Sequence, residues 1–378
     1  MNPRRRLYLQ QLAGVAAASL APAAWGQART ASSVQRGRVL SFPRDHGAHL
    51  DARTEWWYAT GWLAEREGGE PSHGFQVTFF RSRTGLAEGN PSRFAAKHLL
   101  FAHAALTTLA DGKHQHDQRL ARWSGAAGAV LGEADTSEGR VRLGDWRLQR
   151  DATGWHARVP ANGFNLNLDL APTQPLLLQG DAGYSQKGPD VGQASHYYSE
   201  PQLAARATAL AGAPGGRADG PASGQANGRA WMDREWSDEL LHPQAVGWDW
   251  IGMNLFDGSA LTAFVLRRAD GSAVWAGGSH RAASGPPRSF AADAVQWAPG
   301  RRWLSPGTGA RYPVQWQIST PAGRYTVRAL ADAQELDSRG STGTVYWEGL
   351  SELLDEAGRR VGLGYLEMTG YAGALRLG

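Results

Sequence analysis

The chain has 378 residues, with 48 glycines, 16 tryptophans and no cysteine. It is long enough for two domains with separate cores, and it excludes disulfides, thiolate metal sites and thiol nucleophiles. Its formal net charge of +4 falls to +1 once Arg4, Arg5 and Arg6 are set aside as part of a removable leader, and no dense Lys/Arg run follows beyond Arg301-Arg302 and Arg359-Arg360; this argues against nucleic acid as a partner.

Residues 1–28 read as a signal peptide of the twin-arginine type. Arginines precede Leu7, an apolar Ala/Leu/Val stretch runs to Ala24, and Gly26-Gln27-Ala28 supplies small residues for cleavage. The expected location is periplasmic. After cleavage no apolar run approaches the ~18 residues that a membrane-spanning helix needs.

From Val39 the pattern is one of short strands. Phe75–Phe80 largely alternates, Leu99–Leu106 is an apolar run, Ala110–Lys113 reads as a hairpin turn, and Phe164–Leu170 has a period of two. Gly180–Ser199 reads as irregular and polar. Residues 212–224 are dense in Gly, Pro and Ser and read as a linker. The second half repeats the first: Trp57–Leu63 followed by Val77–Arg81 resembles Trp250–Leu255 followed by Ala263–Arg267, each an aromatic strand, a polar turn and an apolar strand ending in Arg. The expectation is all-β: two tandem antiparallel β-barrel domains, over 38–211 and 225–378.

The functional information concentrates in four stretches that set acids among indoles: Glu55-Trp56-Trp57-Tyr58; Trp231-Met232-Asp233-Arg234-Glu235-Trp236 with Trp248-Asp249-Trp250; Tyr346-Trp347-Glu348; and Tyr365-Leu366-Glu367. If Trp231–Trp236 is extended, Asp233 and Glu235 share a face. Two readings serve these stretches. Tryptophans can be core residues whose N–H finds an acid, or they can wall a ligand cavity that a few acids orient.

Other chemistries find little support. His114 and His116 alternate beside the expected turn without a third ligand, so no metal is expected. Gly183-Tyr-Ser185-Gln-Lys-Gly188 has the wrong spacing for a nucleophile elbow, Gly362-x-Gly364 lacks the rest of a dinucleotide loop, and no cofactor is expected. His103, in an apolar strand, reads as a core histidine bonded to a neighbour. Arg81 calls for a carboxylate, which Glu55 or Glu235 could supply.

Taken in order, Glu55–Tyr58 with Gly61, Phe79-Phe80-Arg81, Tyr197-Tyr198-Ser199, Ala230–Trp236, Gly247–Trp250, Tyr346–Gly349 and Gly364–Tyr371 resemble the AttH-like family of secreted lipocalin-like proteins, relatives of the carotenoid 1,2-hydratases. The resemblance implies two calycin-like barrels and a ligand cavity lined by Glu55, Trp56, Trp57, Tyr58, Phe80, Arg81, His103, Tyr198, Trp231, Trp236, Trp248, Asp249, Trp250, Tyr346, Trp347, Glu348 and Glu367. Family descriptions run to secreted hydrolases and parts of an ABC transport system. Where carotenoid hydratases tend to carry His-Asn-Trp, this chain has Arg234-Glu235-Trp236, which argues against carotenoid hydration.

Two functions follow as expectations. One is a binding protein that holds an apolar, isoprenoid or lipid-like small molecule and serves an envelope ABC transporter. The alternative is an acid/base enzyme in which Asp233 or Glu235, kept protonated by apolar surroundings, protonates an alkene for hydration, isomerisation or cyclisation, or in which two carboxylates direct hydrolysis.

Overall fold

The computed structural model describes residues 33–66, 68–209, 226–239 and 241–375. The expected leader at 1–28 and the expected linker at 212–224 lie outside the described residues. The described residues from Ser33 to Leu375 belong to one compact unit, and among them the regular elements are antiparallel strands and two single-turn 3-10 segments.

Two large sheets carry the fold. The first runs Lys113–Trp123, His98–Thr108, His73–Arg83, Thr54–Ala64, Ala226–Ser237, Ala194–Ala209, Phe164–Ala171, Gly154–Ala161, Trp146–Asp151, Arg140–Leu143 and Gly132–Ala134. Its first strand curls back to touch its last, so the barrel nearly closes. The second runs Arg288–Phe290, Ala273–Arg281, Ala260–Arg267, Gly247–Leu255, Arg360–Met368, Val345–Leu354, Gly323–Ala329, Gln315–Thr320 and Gln296–Pro299. These are the two tandem lipocalin-like barrels.

The division between them differs from the expected one. Ala226–Ser237, expected to open the second barrel, pairs on one side with Thr54–Ala64 and on the other with Ala194–Ala209. The second sheet begins only at Gly247. Gly/Pro-rich composition is a local signal, whereas strand pairing decides which barrel the next strand joins. Gly180–Ser199, read as irregular, contributes Tyr184–Gln186 and the start of a long strand, Ala194–Ala209.

Alternation fixes what each strand shows to each side. Along Thr54–Ala64, Trp57, Ala59 and Leu63 point into the first barrel and pack with Phe75, Val77, Phe79, Leu100, Trp146 and Met232. Ile251, Met253, Leu366, Met368, Trp316 and Trp347 fill the second. Both interiors are thus packed cores. Full burial of each large apolar side chain contributes ~1.5–3 kcal/mol relative to leaving it in water.

The alternate residues of the same strands face the other barrel. Tyr58, Trp62 and Trp231 from the first meet Trp250, Phe264, Leu350 and Tyr365 from the second in one buried aromatic layer. Two glycines make room for it. A Cβ on Gly74 would lie 2.8 Å from the Tyr365 hydroxyl, and one on Gly252 would lie 2.3 Å from the Trp250 ring. Gln202, held at φ 58°, latches the barrels together: its N–H donates to Asn254 Oδ1 (2.7 Å) and its side-chain amide to the carbonyls of Leu255 (2.9 Å) and Ser259 (2.7 Å).

Candidate active site between the barrels

The face that carries Trp231 also carries Asp233 and Glu235, because all three are odd-numbered residues of one extended strand. Asp233 is buried and accepts three hydrogen bonds. The Ser199 hydroxyl (2.5 Å) and the Trp231 indole N–H (2.7 Å) donate to Oδ1, and the Tyr197 hydroxyl donates to Oδ2 (2.7 Å). Tyr197 in turn accepts from the Trp250 indole at 3.2 Å. Burial pushes Asp233 up to about 7, against the pull of its three donors and with a small push from Glu235. At neutral pH this carboxyl is therefore divided between acid and carboxylate.

Glu235, two residues on, is held differently. It forms an ion pair with Lys187 (Nζ to Oε1, 2.9 Å) and accepts from the Ser195 hydroxyl. The Lys187 ammonium lies 4.2 Å from the centre of the Phe264 ring and 4.8 Å from that of Tyr197, so its charge rests on aromatic faces.

The second barrel contributes Glu348 and Glu367, register partners on neighbouring strands. Burial comes first, and the charge of Glu367 next, in holding Glu348 well above the ordinary carboxyl range. Burial pushes the half-buried Glu367 up to about 7, the Trp248 indole opposing and Asp233 and Glu235 adding. The Tyr58 hydroxyl reaches toward Glu348 from the first barrel, and its own acidity is suppressed by burial and then by Glu348 and Glu367. Neither Tyr58 Oη nor Glu348 Oε1 has a partner of full hydrogen-bond geometry among the described residues.

Beyond these acids, His103 Nδ1 meets the Tyr346 hydroxyl at 2.8 Å and Nε2 meets Ser341 Oγ at 2.9 Å. Phe80 packs edge-on to His103 at 5.1 Å. Burial, with a smaller push from His116, takes His103 down to about 3, so it is neutral in ordinary buffers.

A cavity of about 550 Å³ opens against this cluster. Tyr197 and Phe264 belong to its wall, with Tyr184, Thr262, Trp275 and Phe290; Arg36 and Asp181 also border it and pair with one another at 2.8 Å. Tyr197 therefore stands between Asp233 and whatever occupies the cavity.

Of the residues expected to share one space, Trp56, Tyr58, Phe80, His103, Trp231, Asp233, Glu235, Trp248, Trp250, Tyr346, Glu348 and Glu367 lie on the faces that the barrels turn toward each other. The others do not, and the expectation of a single lining is revised accordingly. Glu55 and Arg81 form a buried ion pair to which Arg234 adds a second contact (2.9 Å to Glu55 Oε2). Trp57 is core, donating to the His46 carbonyl at 3.1 Å. Trp236 stacks on His49 at 3.6 Å. Tyr198 bonds His46 Nδ1 at 2.6 Å. Asp249 pairs with Arg267 at 2.6 Å, and Trp347 donates to the Asp332 carbonyl at 2.7 Å inside the second barrel. All are one residue out of phase with the shared face.

Tyr197, Ser199, Lys187 and Phe264 are site residues that the sequence reading did not single out. The Tyr197-Tyr198-Ser199 motif was visible, but choosing between its two tyrosines requires the strand register. His114 and His116, expected at a turn, lie on Lys113–Trp123, where His114 bonds Thr107 at 2.9 Å. Among the described residues no group of three His, Asp or Glu side chains could hold a metal ion.

Three comparisons bear on this geometry. The AttH-like family model matches residues 33–371. The crystal structure of a candidate AttH from Nitrosomonas europaea shares 45% identity and a TM-score of 0.79, covering 89% of this chain and 99% of its own. Kievitone hydratase from Nectria haematococca superposes with a TM-score of 0.61 at 13% identity, covering 89% of this chain and 94% of its own; this is a likeness of fold. No curated protein matches the chain.

Proposed function

The chain belongs to the AttH-like family, and from that premise we propose that it is an acid/base enzyme that protonates an alkene in the cavity between its barrels, with water addition as the favoured outcome. The observation that carries this reading is the Asp233–Tyr197 contact: a buried carboxyl, pushed up to about 7 by its burial, bonded at 2.7 Å to a tyrosine of the cavity wall.

In the protonated form Asp233 donates to Tyr197 Oη, which frees the phenol proton for the cavity. The phenol proton forms the new C–H bond as the alkene π pair breaks, and the Asp233 proton replaces it on Tyr197. The cation that results lies beside other aromatic rings of the cavity wall, Trp275 and Phe290. Water attacks it, and the proton that water loses returns to the Asp233 carboxylate directly or through Tyr197. Loss of a carbon-bound proton instead gives isomerisation. General acid catalysis of this kind contributes about 10²–10⁴-fold. The name of kievitone hydratase speaks of water addition on the same fold, which supports the reading by analogy of architecture alone. We place the reaction in the periplasm on the strength of the leader sequence.

Incubation with a panel of isoprenoid and prenyl-aryl alkenes in deuterium oxide enriched in oxygen-18 tests this. The expected result is carbon-bound deuterium, with oxygen-18 where hydration follows, at a rate that falls about 10²-fold or more in Asp233→Asn and Tyr197→Phe. A panel without any deuterium incorporation, or variants as fast as the native chain, would contradict the proposal.

A second reading, a carrier for an apolar molecule that an envelope transporter would receive or supply, is favoured by the aromatic wall of the same cavity. A ligand that co-purifies with the protein and stays free of deuterium on incubation would favour the carrier.

A further inference from the structure

A second cavity, of about 710 Å³, opens at one end of the second barrel, against Val265 on one side and Trp297 and Trp316 on the other. It belongs to neither the aromatic layer nor the acids between the barrels: Val265 and Trp316 are residues of the second barrel's own core, with Trp297 packed against it. Arg267 belongs to its wall, pairs with Asp249 at 2.6 Å, donates to the Thr369 carbonyl at 2.5 Å and lies 4.0 Å above the Tyr371 ring. That arginine is neutralised.

Two further arginines in the wall are not. Arg302 and Arg311 sit on the paired strands Arg302–Leu304 and Arg311–Pro313. Both are exposed, and no ion pair to a carboxylate is formed by either one among the described residues. The acid in the wall, Asp270, is exposed and accepts the Ser272 N–H at 2.8 Å. The cavity thus sets two indoles and three valines beside polar groups, among them two guanidinium groups that form no ion pair among the described residues. Guanidinium forks favour carboxylate and phosphate oxygens, and indole walls favour an apolar chain.

We propose that this cavity is a second ligand site, one that takes an amphiphile with an anionic head at Arg302 and Arg311 and an apolar body against Trp297 and Trp316. It is independent of the chemistry proposed between the barrels.

Fluorescence titration of the full chain with 11-(dansylamino)undecanoic acid, alongside displacement by dodecanoate, dodecyl phosphate and dodecanol, tests the site. Saturable binding is expected. Dodecanol should displace the probe about tenfold more weakly than either anion, and the pair Arg302→Ala with Arg311→Ala should weaken both anions about tenfold or more while leaving dodecanol unchanged. Because both side chains are exposed, the double variant is expected to fold. A better fit of dodecanoate than of dodecyl phosphate would name the carboxylate as the head, and the reverse would name the phosphate. Equal displacement by dodecanol and the anions, or full retention of anion affinity in the double variant, overturns the proposal. Asp233→Asn should not alter the titration, so failure here and failure of the proposed alkene chemistry read out separately.

Discussion

Glu348 and Glu367 stand directly opposite each other on neighbouring strands of the second barrel, both raised above the ordinary carboxyl range, with the Tyr58 hydroxyl of the first barrel reaching toward them. Two carboxyls so placed cannot both ionise cheaply, and they titrate as a pair.

A stability consequence follows from the sign of that shift. A carboxyl whose folded value lies above its unfolded one binds more protons in the native state, so its contribution weakens as pH rises from the unfolded value through the folded one. For Glu367 that window runs from 4.5 to about 7. Buried histidines such as His103, lowered from 6.5 to about 3, act in the opposite sense over an overlapping range, so the informative quantity is a difference. Urea midpoints of Glu367→Gln minus those of the native chain should grow more positive from pH 5 to pH 8; a flat difference would show that Glu367 is not raised by the fold.

Glu55 makes the contrasting case. It is fully buried, its burial cost is outweighed by Arg81 and Arg234, and its carboxyl is held well below the ordinary range. Its contribution is therefore complete above 4.5 and is lost only as pH falls far below it. Glu55→Ala, which strands two buried guanidinium groups, should cost ~3–5 kcal/mol in urea unfolding at pH 7. Glu235→Gln, whose partner Lys187 sits against aromatic rings beside the cavity, should cost less than Glu55→Ala in the same measurement.

Gly252 holds the Trp250 indole in place by having no side chain. A methyl group there would lie 2.3 Å from the Trp250 ring and 3.1 Å from Trp231. Gly252→Ala should displace the indole, break its 3.2 Å bond to Tyr197, alter the near-ultraviolet circular dichroism and lower stability by ~1–3 kcal/mol. An unchanged aromatic spectrum would mean that the indole is not confined as described.

The strand grammar was legible because alternation and turn residues are local signals: Phe164–Leu170 became the Phe164–Ala171 strand, and the repeat of Trp57–Arg81 in Trp250–Arg267 became equivalent strand pairs. Each of these pairs carries a buried acid–arginine contact, Glu55 with Arg81 and Asp249 with Arg267. The common face of Asp233 and Glu235 was likewise local. What stayed hidden was which face of each strand looks into a barrel and which looks across to its neighbour. Both faces are buried here, Trp57 in a core and Tyr58 between the barrels, so polarity did not distinguish them. For the same reason the sequence alone does not tell Tyr198 from Tyr197, nor Asp249 and Trp347 from the even-numbered neighbours that contribute to the site.

The proposed chemistry depends on a carboxyl at position 233 that still holds its proton in part at neutral pH. Carbon-13 NMR of protein labelled at aspartate Cγ, assigned by comparison with Asp233→Asn and titrated from pH 4 to pH 9, measures that directly. A midpoint near 7 for Asp233, shifted in Tyr197→Phe, is the expected result; a midpoint near the ordinary 3.8, unmoved by the tyrosine variant, would contradict it.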